Sequence, residues 1–238
     1  LNSNTASGNV AVGRHALKLN TTGTDNVSLG YYALDANTIA SNNTAVGADA
    51  LGANTTGHNS SALGAHSLES CTTGEANTGI GCSALYTVTT GYSNTAVGRE
   101  ALRNNTANNN TGVGMQALRN NTTGTENTAL GVAAINVSTT GSRITGVGYR
   151  ALVANTTGDD NTAVGARALV ANTTGSRNVG VGNSALDSCT TGNNNTAVGY
   201  ETLISSTTTS NNTALGAYAL RVSTGTQNVA VGVDALYL

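Results

Sequence analysis

The chain has 238 residues, 10 basic and 12 acidic, for a net charge of -2, and only 9% of its residues are charged. That balance excludes a nucleic-acid binder, which needs a basic footprint, and a disordered chain kept in solution by its charge. Thr, Asn and Gly fill 39, 32 and 30 positions, Pro, Phe and Trp are absent, and no apolar run approaches the roughly 18 residues of a membrane-spanning helix.

One period runs through the chain. A Gly preceded by an aliphatic residue recurs from Gly13 and Gly30 through Gly98 and Gly165 to Gly232, in fourteen copies. Eleven of the thirteen steps are 17 residues; Gly98 to Gly114 and Gly216 to Gly232 are 16. The consensus is N-T-A-V-G-x-x-A-L-x-x-N-T-T-G-x-x, with the recurring Gly at position 5. No linker or change of composition interrupts it, so residues 1–238 read as a single repeat domain. No signal peptide is visible. The first residue is Leu1 rather than Met, which reads as a processed or excised piece, and neither end carries the polar cap that solenoids need.

Along each repeat, N-T-A-V-G is rich in β-branched residues and ends in Gly, the pattern of a strand followed by a turn. Position 1 is Asn in twelve of fourteen copies, Ser60 and Ile144 being the exceptions. Stacked Asn amides can bond from one copy to the next. Position 3 is only Ala, Gly or Ser, and position 4 is only Val, Leu or Ile. The block A-L-x-x reads as a second short strand. Position 8 is Ala except at Ser67 and Thr202, and position 9 is Leu except at Ile135. N-T-T-G reads as a turn, since Asn and Gly accept left-handed backbone.

Seventeen residues are too few for a helical-pair repeat. Two short strands and two turns describe one coil of an all-β, parallel β-solenoid, a β-roll of about fourteen coils. At about 4.8 Å per coil the stack would be on the order of 65 Å long. Side chains alternate along a strand, so positions 3 and 4 face opposite ways. Val12, Val46, Val97 and Val164 are assigned inward, against Leu17, Leu51, Leu102 and Leu169, with Gly13, Gly98 and Gly165 at the turn. Position 3 then lies on an outer face that accepts nothing large in fourteen copies. The expectation is that another backbone covers it, that of a second copy in a homo-oligomer or end-to-end filament. The charges gather at the variable positions 6, 7, 10, 16 and 17, which read as solvent-facing and as the place for any receptor contact.

Cys71 and Cys189 occupy position 12, seven coils apart, too distant to pair in one stack. Cys82 lies at position 6, and the three cysteines have no metal-ligand spacing. His15, His58 and His66 fall at variable positions. No unique nucleophile and base stand out, so no catalysis, metal or cofactor is expected. Asn20, Asn54, Asn121, Asn155 and Asn172 lie in Asn-x-Ser/Thr acceptors, so a glycosylated extracellular filament subunit is one alternative. The recurring Thr-Thr pairs, such as Thr55–Thr56 and Thr156–Thr157, suggest another: rows of hydroxyls and methyls like those of ice-binding β-solenoids.

The repeat N-T-A-V-G-x-x-A-L resembles the head repeats of trimeric autotransporter adhesins, and it is similar to the repeats of bacteriophage and marine microbial fibres. The resemblance implies an extracellular, cell-surface or virion fibre, rod-like, structural or adhesive and homotrimeric. Its partners would be copies of the chain and a surface receptor or glycan. It implies neither nucleic-acid binding nor membrane insertion of this segment.

Overall fold

The computed structural model describes residues 5–222 and 224–237. The fold is all-β, and no helix occurs among the described residues. The coils form two compact units, residues 1–122 and 123–238. In the first, three-residue strands lie at Val10–Val12 (β1), Val27–Leu29 (β2), Thr44–Val46 (β3), Ser61–Leu63 (β4), Thr78–Ile80 (β5), Thr95–Val97 (β6) and Thr111–Val113 (β7). Each pairs in parallel with the next in the chain. The second unit repeats the scheme with Thr128–Leu130 (β8), Thr145–Val147 (β9), Thr162–Val164 (β10), Val179–Val181 (β11), Thr196–Val198 (β12), Thr213–Leu215 (β13) and Val229–Val231 (β14). The register joins like to like: Ala163 opposes Gly180 and Gly146, and Val164 opposes Val181 and Val147. Each chain return therefore lays a residue beside its own counterpart, and the fold is a parallel β-solenoid.

Each coil holds one strand, not the two expected. The second block, A-L-x-x, is a turn. Its Leu has a left-handed backbone, with φ near 50° at Leu17, Leu51, Leu102 and Leu169. Position 7 and position 17 are also left-handed, as at Arg167 (φ 60) and Arg177 (φ 57). A left-handed residue other than Gly costs roughly 1–2 kcal/mol. What offsets it at position 9 is burial: Leu17, Leu51, Leu102 and Leu169 are wholly enclosed, and burying a Leu contributes roughly 1.5–3 kcal/mol. The twist at position 9 turns the Leu inward and the chain back on itself, so the stretch cannot pleat. Its amides still bond between coils. The Leu169 N–H donates to the Ala185 carbonyl at 2.9 Å, and the Asn172 N–H closes the turn on the Leu169 carbonyl at 3.1 Å.

The inward residue of the strand is position 3, which reverses the sequence-based assignment. Ala45, Ala96 and Ala163 are fully buried. Val12 and Val164 point outward, 54% and 37% exposed, and Val46 and Val97 are half-buried. Position 3 is therefore small because a Leu already fills the coil beneath it, not because a second backbone covers an outer face. The contacts show how tight the fit is. A Cβ on Gly112 would lie 3.3 Å from Leu102 Cγ, and one on Gly146 would lie 2.6 Å from Ile135 Cγ1. The one coil with the bulkier-shouldered Ile135 is followed by Gly at position 3.

The polar exceptions at positions 3 and 8 find backbone acceptors. Ser28 Oγ donates to the Ala33 carbonyl at 2.7 Å, Ser67 Oγ to Gly79 at 2.8 Å and Thr202 Oγ1 to Gly216 at 2.6 Å. The Gly at position 5 is demanded by geometry. Gly165 has φ 134, and a Cβ there would sit 2.4 Å from the Gly182 carbonyl oxygen. Gly13 and Gly98 meet the same obstacle.

Candidate functional site

Two stacks of buried Asn hold the turn that presents the strand. The position-1 Asn is fully enclosed in every coil from Asn26 to Asn212 that has one. Its Nδ2 donates to the carbonyl of position 15 in its own coil, as Asn43 does to Gly57 at 2.9 Å and Asn178 to Gly192 at 2.8 Å. Its Oδ1 accepts the backbone N–H of position 1 in the next coil, as Asn43 does from Ser60 and Asn178 from Asn195. The position-12 Asn forms a second stack: Asn37 donates to Asn20 Oδ1 at 2.7 Å and Asn54 to Asn37 Oδ1 at 3.1 Å. Buried amides left without partners would cost about 1–3 kcal/mol each. Along the position-1 stack the amide groups are used; in and beside the second stack the buried Ser138 Oγ, Asn172 Oδ1, Ser206 Oγ and Thr209 Oγ1 have no partner.

The candidate acceptor asparagines belong to this second stack. Asn20, Asn54, Asn121, Asn155 and Asn172 have no exposed surface. The Nδ2 of Asn155 donates to Gly158 at 3.0 Å, and that of Asn121 to Asn105 Oδ1 at 2.7 Å. A glycan on any of them would have to lie inside the coil, so the folded chain offers none of the five as an attachment point. Cys71 and Cys189 replace Asn in the same stack. Their thiols face the Gly74 and Gly192 carbonyls at 3.5 and 3.8 Å, and burial pushes both up to about 11. Cys82 is exposed, and all three are free.

The Thr-Thr pairs divide their roles. The first Thr turns its hydroxyl back to the next coil: Thr55 Oγ1 donates to Thr72 at 3.1 Å and Thr156 Oγ1 to Thr173 at 2.9 Å. The second, as at Thr73 and Thr140, faces outward. These hydroxyls thus form no continuous double row at the surface.

An uncharged surface does exist on the outer side of the strands in each unit, where the sequence alone points to an interior. Position 2 is Thr, Val or Ser and position 4 is Val, Leu or Ile in all fourteen coils, so twenty-eight outward positions carry no charge. In the first unit position 4 gives Leu29, Leu63 and Ile80, all exposed; in the second, Leu130, Leu215 and Val231. Beside them run the hydroxyls of Thr44, Thr78 and Thr95, and of Thr128, Thr145 and Thr162. Within the chain these make no hydrogen bond. Along the strand positions 2 and 4 stand about 6.6 Å apart, and coil to coil about 4.8 Å. The signal was present: position 4 is aliphatic in every coil while positions 6 and 7 vary. An invariant aliphatic row ordinarily marks interior packing, which is why the sequence alone points the other way.

The remaining variable rows carry the charges. Arg143 binds Asp160 through Nε at 2.6 Å, which holds the Asp160 carboxyl below its usual range. Arg167 reaches Asp187 at 3.2 Å, Arg119 reaches Glu100 at 2.8 Å, and Arg221 reaches Glu201 at 3.0 Å. Each pair links one coil to the next. Exposed pairs of this kind contribute little, about 0–1 kcal/mol. Asp35, beside Asp49, has its carboxyl raised, chiefly by partial burial. Among the described residues no group of three or more His, Cys, Asp or Glu side chains could hold a metal ion, and no helix is long and apolar enough to cross a membrane.

Compared with known proteins, the chain matches no family model, no curated protein and no solved structure.

Proposed function

We propose that this chain is an extracellular structural or adhesive fibre segment that works without catalysis, and that copies of it assemble side by side, as a homotrimer, through the outer face of the strands. The observation that carries the reading is the run of aliphatic residues at position 4, outward and exposed or half-buried in a single chain yet never polar. A solvent-facing row has no physical reason to exclude Lys, Glu or Gln fourteen times over. Contiguous apolar surface of this kind marks a contact with something else. A second copy has the same coil spacing, so the rows of Val and Leu would meet in register along their length. The trimer and the location outside the cell, on a cell surface or virion, follow the resemblance of the repeat to adhesin heads and phage fibres.

Light scattering on the purified chain tests the assembly. The expected mass is three chains, falling to one in a double variant, Val97→Asp with Val164→Asp, that keeps the β-rich circular dichroism of the parent. A parent that runs as a monomer at micromolar concentration overturns it. A second reading has its own support in the unbonded position-2 hydroxyls. Set beside methyls at the regular coil spacing, they are a surface that ordered water could match. Thermal hysteresis in a monomeric parent would transfer the same face from a second chain to ice.

A further inference from the structure

Five asparagines stand at position 17, in the turn that leads into the strand: Asn42, Asn59, Asn109, Asn194 and Asn211, all exposed. Each has the left-handed backbone of that turn, with φ of 61, 59, 59, 56 and 62. Their backbone N–H groups are spent on the fold: Asn42 donates to the Thr24 carbonyl at 3.1 Å and Asn109 to that of Tyr92 at 3.2 Å. The coil therefore fixes each residue while its side chain meets solvent. The side-chain amides of Asn42, Asn59 and Asn109 make no hydrogen bond among the described residues. Asn194 Oδ1 accepts from Arg177 Nε at 2.7 Å, and its Nδ2 donates to Asn211 Oδ1 at 3.3 Å. The same row carries the exposed pair Arg143 and Asp160, so it is a solvent row rather than a packing one.

All five begin an Asn-x-Ser/Thr triplet. The third residue is position 2 of the following strand: Thr44, Ser61, Thr111, Thr196 and Thr213. These hydroxyls face away from the buried position 3 and are unbonded among the described residues. The repeat does not force the match. Position 2 is Val in four coils, and the residues at position 17 before them are Gly8, Asp25, Arg177 and Gln227. Asn at position 17 thus precedes Thr or Ser each time and Val never.

We propose that these five asparagines are N-glycosylation sites, modified by a transferase that reads Asn-x-Ser/Thr. The asparagines of position 12 have the same signature and are sealed inside the coil; the fold, not the motif, selects which are used. In the transfer, Asn Nδ2 attacks C1 of a sugar carried on a diphosphate. The C1–N bond forms and the C1–O bond to the diphosphate breaks. The diphosphate leaves with the electron pair, and one amide proton passes to a base of the transferase. The result is a line of sugars beside the strands, on a row that no packing uses. The inference goes beyond the proposed function, since it needs neither assembly nor a receptor. Asn109 stands alone, with Ser93 and Glu126 at position 17 of the adjoining coils, so it should be the most fully occupied.

Intact-mass spectrometry of the protein purified from its own cells, with electron-transfer fragmentation of its peptides, tests this. The mass should exceed that of the polypeptide by whole sugars, placed on Asn109 and on others of the five, with none on Asn20, Asn54, Asn121, Asn155 or Asn172. An increment of a single hexose means a nucleotide-linked donor and a larger preassembled chain a lipid-linked one; either supports the proposal. Asn109→Gln and Thr111→Val should each abolish the sugar on residue 109 and leave the rest. Both replacements already occur in this chain at the same positions, as Gln227 and Val179, so the coil accepts them, and circular dichroism checks the fold. A bare polypeptide mass, an unmodified Asn109, sugars on position 12, or a sugar on Asn109 that survives Thr111→Val overturns it.

Discussion

Asn161 and Asn172 converge on one atom: both Nδ2 groups donate to the carbonyl oxygen of Gly175, at 2.7 and 3.0 Å. The two residues lie on opposite sides of the coil in sequence, eleven positions apart, and the shared acceptor ties the turn to the strand it feeds. Asn43 and Asn54 do the same to Gly57, at 2.9 and 3.0 Å. Asn161→Ala and Asn172→Ala should each cost about 1–3 kcal/mol, the penalty of stranding buried partners. Because the two share an acceptor, the double variant should depart from the sum. Urea unfolding of the four proteins measures both numbers.

The next coil breaks the second Asn stack. Cys189 stands where an Asn would donate to Asn172, and Asn172 Oδ1 is left buried without a partner. Cys189→Asn should restore the bond seen between Asn172 and Asn155 at 2.7 Å. A gain of about 0.5–1.5 kcal/mol is expected. A higher melting temperature checks it; a lower one would mean the pocket around the thiol cannot admit the larger amide.

Inward and outward strand residues should respond in opposite ways. Ala163→Leu adds three heavy atoms inside a filled coil and should cost about 1–3 kcal/mol or more. Gly165→Ala should be worse, since its Cβ meets backbone that cannot step aside. Val164→Leu, on the outer face, should leave the unfolding midpoint within about 0.5 kcal/mol in a dilute, dissociated sample. Denaturation of the three variants side by side would expose an inverted strand at once.

The buried thiols predict an alkaline weakness. Cys71 and Cys189 are raised to about 11 by burial, whereas an unfolded thiol titrates near 8.5. Below about 8.5 both states keep the proton and stability is whole. Between about 8.5 and 11 only the unfolded chain ionises, so stability falls, at up to about 1.4 kcal/mol per pH unit and thiol. Cys71→Ser with Cys189→Ser should flatten that decline. In the native protein at pH 8, iodoacetamide should modify Cys82 and spare the other two until the chain unfolds.

Much of the architecture was legible in the residues. The spacing of Gly13, Gly98 and Gly165 sets the coil, because no other residue can pass under the neighbouring carbonyl. The Asn of position 1 announces its stack, since an amide can both donate and accept along such a column. What could not be read was the direction of the strand face. Alternation places Ala163 and Val164 on opposite sides but does not say which is inside. That choice was made by Leu169, whose left-handed backbone ordinary Leu preferences argue against and only the closed coil makes affordable. Once it turns inward, the interior has room for Ala alone, and Val164 is left facing out. Residue type and period thus determined that the chain winds; the packing of one Leu in three dimensions decided which surface the winding shows.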